Sequence, residues 1–146
     1  MLDSYQDLID ELIGTPTALR EGLDGWAGPG PVPEAAARLI AALRDRDLAV
    51  LERLQTMLRQ RDPVLKALPE GERARSEATD PEAALVGFNG ARGEVISLLM
   101  NLTLRDWERT AIDASGGKIA LDEEVERHVE FDEEHVARFR RVVGLG

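Results

Sequence analysis

The sequence predicts an all-α fold, a four-helix bundle, and three observations carry that expectation. Apolar residues recur at helical spacing in four separate stretches. Helix-stopping and helix-starting residues, such as Gly28-Pro29-Gly30-Pro31, Asp62-Pro63 and Asp80-Pro81, fall between those stretches. Apolar residues make up 43% of the chain but aromatics only 4%, so the core must be built from Leu, Val, Ile and Ala. That mix favours helix packing over a β-sandwich. A length of 146 residues suits one domain spanning 1–146.

The first helix is expected over about residues 3–25, with Leu8, Ile9, Leu12, Ile13, Leu19 and Leu23 at helical spacing. Pro16 interrupts it, so a kink or break is expected near Gly14-Thr15. The second helix is expected from about Pro33 to Arg61. Its apolar stripe includes Leu39, Ile40, Leu43, Val50, Leu54 and Met57, and one turn of that stripe is occupied by Arg46 and Asp47.

Residues from about 62 to 80 form a polar connection too long for a simple turn. A long crossover between helices two and three is expected there, allowing the two to run parallel. Asp80 reads as an N-cap and Pro81 as the first helical residue of the third helix, which runs to about Leu102 with Arg92 at the edge of its apolar stripe. Gly87, Gly90 and Gly93 in its interior either admit a close neighbour or weaken the helix, at about 1 kcal/mol each relative to Ala. Thr103 can cap a short turn holding Trp107. After a turn at Gly116-Gly117, the fourth helix spans about Leu121 to Val143. Asp122, Glu123 and Glu124 suit its N-terminus, and Arg138, Arg140 and Arg141 suit its C-terminus.

Composition also excludes several classes of function. With no cysteine, there is no disulfide framework, thiolate ligand or cysteine nucleophile. A net charge of −10 argues against nucleic-acid binding, which needs clustered cations. The N-terminus has no signal-peptide pattern, and no stretch approaches the roughly 20 apolar residues of a membrane span. A cytoplasmic protein with no membrane partner is expected.

The fourth helix carries the chemistry-bearing residues. Asp132 falls at the centre of its apolar stripe, with His128 and His135 on the flank. An inward carboxylate left unpaired costs several kcal/mol, so Asp132 needs a partner. His128, His135, Arg46 and Arg92 are the candidates. Two readings follow. Asp132 is a buried pairing group that sets helix register, or Asp47, His128, Asp132 and His135 line a residual pocket for metal or acid–base chemistry.

Several segments together resemble one known family. The run Leu43-Arg44-Asp45-Arg46-Asp47, followed by Leu51-Glu52-Arg53-Leu54, is similar to the second helix of DinB-like (DinB/YfiT-type) proteins. Phe88, Arg92 and Leu98-Leu99 through Leu102 resemble its third helix, and Asp106-Trp107-Glu108-Arg109 the turn after it. Gly117 to Leu121 and His128 to His135 resemble the start and centre of its fourth. The likeness covers roughly residues 35–143.

The resemblance implies a four-helix bundle with the long crossover, commonly a homodimer. It also implies a divalent metal such as Ni²⁺ or Zn²⁺, held by one His of helix two and two of helix four. Some relatives are thiol-dependent isomerases or transferases. In this chain the helix-two position is Ala42, and the helix-four positions are Phe131 and His135, so one ligand of three remains. His128 matches an additional family His, and Asp132 matches the Asp beside the lost ligand. The expectation is therefore a metal-free, non-catalytic bundle with a degenerate metal site and no cofactor, its small-molecule ligand unspecified. The alternative is a metal-dependent or acid–base enzyme whose rearranged site uses His135, His128 and Asp132, with Asp47 reaching across.

Overall fold

The computed structural model describes residues 2–68 and 80–145. The order is α1 (Leu2–Asp24), α2 (Glu34–Arg59), α3 (Pro81–Met100), a single-turn α4 (Leu104–Trp107), β1 (Thr110–Ile112), β2 (Lys118–Ala120) and α5 (Leu121–Val142). The four long helices form the bundle predicted. Most of the polar connection between α2 and α3, including Glu70 to Glu77, lies outside the described residues.

Local signals account for the helix ends. Asp80 caps α3 by accepting from the Glu82 amide at 3.0 Å, with Pro81 in the first turn. Thr103 and Asp106 form a reciprocal capping box around α4: the Asp106 amide donates to Thr103 Oγ1 at 3.1 Å, and the Thr103 amide donates to Asp106 Oδ2 at 3.0 Å. Trp107, placed by that turn, stacks on Tyr5 of α1 with ring centroids 4.5 Å apart.

Two expectations need correcting. Proline does not break the first helix: α1 is continuous from Leu2 to Asp24 with Pro16 inside it. The segment before α5 is a small antiparallel hairpin pairing Thr110 with Ala120, Ala111 with Ile119 and Ile112 with Lys118. Gly116 turns it with φ of 91°. Each strand has three residues, too few for a period-two pattern to stand out against the neighbouring helices. The chain after α2 adds to this hairpin, with the Leu65 amide donating to Ile112 O at 2.8 Å and the Ile112 amide to Pro63 O at 2.7 Å.

Of the two readings of the α3 glycines, no close backbone approach is seen. A Cβ at Gly90 or Gly93 would meet nothing within 4 Å, and one at Gly87 would meet only the Arg44 side chain, at 3.2 Å. The close approach is instead at Gly22 of α1, where a Cβ would lie 2.2 Å from the Phe139 ring of α5.

The apolar core is divided along the bundle. One cluster gathers residues such as Leu12, Val50, Leu54, Val95, Leu99 and Val125, and the other Leu19, Leu43, Phe88, Val136 and Phe139. On every long helix a polar residue falls between the two: Thr15, Asp47, Arg92 and Asp132, all buried. A polar layer therefore crosses the middle of the bundle.

Candidate functional site: a buried guanidinium between two carboxylates

Arg92 is the centre of that layer. Its side chain is 2% exposed, and it is among the largest fully buried side chains of the chain. Nε and Nη2 donate to Asp47 at 2.8 and 2.9 Å, and Nη1 and Nη2 donate to Asp132 at 2.7 and 2.8 Å. Each carboxylate is thus held by a two-pronged bond, the geometry for which the planar guanidinium fork is suited.

Each carboxylate accepts one further hydrogen bond. Thr15 donates its hydroxyl to Asp132 Oδ2 at 2.7 Å. His128 Nε2 lies 2.6 Å from Asp47 Oδ1. Against a carboxylate oxygen that nitrogen carries the proton, and Nδ1 is left buried with no hydrogen-bond partner among the described residues. Arg92 Nη1 also donates to the carbonyl of Leu12 at 2.8 Å. That carbonyl is available because Pro16, four residues on, has no N–H to complete the helical bond.

Electrostatics follow from this packing. Burial alone pushes the Asp47 carboxyl up, but the bonds from His128 and Arg92 outweigh it and hold the group below its ordinary value. Burial likewise disfavours the charged Arg92, and the two carboxylates reverse that and raise its affinity for its proton. Arg92 is a permanent cation here.

The residues predicted as a pocket divide into two groups. Asp47, His128 and Asp132 converge, each offering a ligand atom within 4.8 Å of the others'. His135 is not in that group. It stacks on Phe131 with centroids 3.9 Å apart, and its Nδ1 lies 3.0 Å from the Phe131 carbonyl oxygen. Arg46 covers the Phe131 ring with its guanidinium 4.2 Å from the centroid. Burial lowers the Arg46 pKa. Ala42 is buried and adds no donor atom. Phe131 thus lies between the His135 imidazole and the Arg46 guanidinium.

The donor set Asp47, His128 and Asp132 is chemically suited to Zn²⁺ or Ni²⁺. As arranged it does not fit an ion, because Arg92 already binds all four carboxylate oxygens. An ion would have to displace a cation engaged in five hydrogen bonds.

A groove reaches this layer. It encloses about 290 Å³ between α1 and α5, with Thr15 and Asp132 at its base, Gly14, Ala18 and Ala137 leaving the space, and Glu11, Glu133 and Arg140 along it.

A second buried ion pair was not anticipated from the sequence. Glu124, read there as a favourable N-terminal charge of the last helix, is 1% exposed and faces inward. Arg53 of α2 donates to it through Nε at 2.7 Å and Nη2 at 2.9 Å, and also to the Lys66 carbonyl and Asp113. Three acidic residues in a first turn look alike in sequence, and only the neighbouring helix distinguishes the one that points inward.

Thr15 was missed too, although it continues the α1 stripe at Leu8, Leu12 and Leu19. A threonine there reads as a weak apolar residue until a carboxylate is seen beside it.

No family model matches the sequence, and no curated protein does. Among solved structures, YfiT from Bacillus subtilis superposes with a TM-score of 0.79 at 19% identity, covering 100% of this chain and 91% of that one. The chain has the YfiT fold. YfiT is described as a probable metal-dependent hydrolase with an unusual four-helix bundle topology. No helix among the described residues of this chain is long and apolar enough to cross a membrane.

Proposed function

We propose that this chain is a metal-free, non-catalytic bundle of the YfiT fold that acts by binding, with the groove beside Thr15 and Asp132 as its ligand site. The observation that carries this reading is the Arg92 guanidinium bonded to both Asp47 and Asp132. An internal cation there removes the electrostatic reason for a metal ion. It also takes up two of the acceptor positions on each carboxylate that a general base or a metal ligand needs, and with His128 it lowers the basicity of Asp47. Metal analysis of protein purified without a His-tag tests the reading. Less than stoichiometric metal is expected, and one tightly bound transition metal per chain would overturn it.

A second reading is an enzyme that uses Asp47, His128 and Asp132, favoured by the convergence of their ligand atoms within 4.8 Å. The description of YfiT as a probable metal-dependent hydrolase points the same way. It predicts ester or amide hydrolysis by the purified protein that depends on added Zn²⁺ or Ni²⁺ and is lost in His128→Ala. Equal rates with and without the ion would exclude it.

A further inference from the structure

We propose that the groove between α1 and α5 takes a linear ω-amino acid, its ammonium group seated at Thr15 beside Glu11 and Glu133 and its carboxylate at Arg140. The proposal rests on the binding reading above and names the chemistry of that ligand.

Helix register sets the order of groups along the groove. Thr15 bonds to Asp132, 117 residues on, and Gly22 meets Phe139 at the same separation, so α1 and α5 run in the same direction. From one end the lining therefore passes from Glu11 through Thr15, Asp132 and Glu133. It continues past Ala18, Val136 and Ala137 and ends at Arg140. Carboxylates come first, a short apolar stretch follows, and a cation closes the far end. Those surfaces complement a molecule with an ammonium group, a run of methylenes and a carboxylate, in that order.

The base of the groove separates donors from acceptors. Thr15 is 6% exposed and donates its hydroxyl proton to the Asp132 carboxylate at 2.7 Å, so its oxygen presents lone pairs to a ligand. Arg92 fixes that direction, because its fork holds Asp132 in place as the acceptor. A hydroxyl locked in this way accepts from an ammonium N–H and repels a second carboxylate. The ligand's carboxylate is thereby turned toward Arg140.

The charges along the groove are uncommitted. Glu134, one residue on from Glu133, is paired with Arg138. Glu11, Glu133 and Arg140 form no ion pair among the described residues. Size agrees as well. A volume of about 290 Å³ lies at the low end of ligand pockets, roughly 300–1,000 Å³, and suits a small molecule. Asp132 and Arg140 are eight residues apart, about 12 Å along the helix. An arginine side chain leans back over the preceding turn, which shortens that gap to the reach of several methylenes. Glycine, with both charges on one carbon, cannot touch both ends.

The test is calorimetric titration of tag-free protein with 6-aminohexanoate, alongside hexylamine, hexanoate, 1,6-diaminohexane and glycine. 6-Aminohexanoate is expected to bind at one site per chain, about 10-fold or more tighter than each comparator, since each lacks one charged hydrogen-bonding end or the length to use both. Arg140→Gln should weaken 6-aminohexanoate by about 10-fold and leave hexylamine unchanged, and Glu133→Gln should weaken both. Both side chains are exposed, so neither replacement removes a core contact. No binding of 6-aminohexanoate, a comparator that binds as tightly, or an affinity untouched by Arg140→Gln overturns the proposal and leaves the metal-free reading standing. Metal content, measured on the same sample before titration, decides that reading separately: one tightly bound transition metal per chain overturns it whatever the groove binds.

Discussion

Arg92 and Leu12 are joined by a hydrogen bond, 2.8 Å from guanidinium nitrogen to carbonyl oxygen, that exists because Pro16 cannot donate to that carbonyl. A proline inside a helix ordinarily costs about 3 kcal/mol through the lost bond and the ring's clash. Here the orphaned acceptor is satisfied from another helix. Pro16→Ala is therefore expected to change stability by less than about 1 kcal/mol, the smaller helix gain being offset by a freer unfolded chain. Urea denaturation measures it. A gain near 3 kcal/mol would mean that the Arg92 bond contributes nothing.

Arg92 itself is expected to be the costliest single replacement. Removing one partner of a buried ion pair typically costs about 3–5 kcal/mol because the other charge is left uncompensated. Arg92→Met should fall in that range. Arg92→Lys should recover only part of the loss, since an ammonium has three donors and cannot hold each of two carboxylates by two bonds. In a double-mutant cycle with Asp47→Asn, the two losses should fall short of additive by about 0.5–3 kcal/mol.

The response to acid follows from Asp47. Its pKa lies below the ordinary 3.8 in the folded chain, so the unfolded chain binds the proton first as pH drops. The stabilisation is complete above that value and is lost as pH falls through the lower folded one. Melting temperature should hold between neutral pH and about 5, then fall steeply below about 4. Asp113 and Asp106, held low by their own bonds, share the effect. Asp47→Asn should flatten only part of the decline.

Glycine replacements should divide by position. Gly90→Ala and Gly93→Ala add a methyl to open space on α3 and should each stabilise by up to about 1 kcal/mol. Gly22→Ala gains the same propensity but drives its methyl into the Phe139 ring. Overpacking of that kind costs about 1–3 kcal/mol, so the net effect should be destabilising. Thermal melts of the three variants decide it.

Much of the architecture was legible in the residues because it depends on nearest neighbours. Helical spacing of Leu and Val, Asp80 before Pro81, and Thr103 three residues before Asp106 are local patterns with local causes. The hairpin was not legible, since three-residue strands carry no period and are held by the chain after Pro63. The site was half legible. Asp132, His128 and Asp47 stand out as polar residues on apolar stripes, which marks them as inward without saying what they meet.

Helical periodicity was enough to show that Asp47 and Asp132 lie on the apolar stripes of their helices, and so that charge is buried at the middle of the bundle. Tertiary structure alone decided which cation answers that charge. Arg92 and Arg46 read alike in sequence, each an arginine on or near an apolar stripe. Packing sends Arg92 between Asp47 and Asp132 and lays Arg46 over Phe131. The reason is physical: burial of a carboxylate is set by its own helix, but its partner comes from a different helix, whose approach is fixed only when the bundle closes.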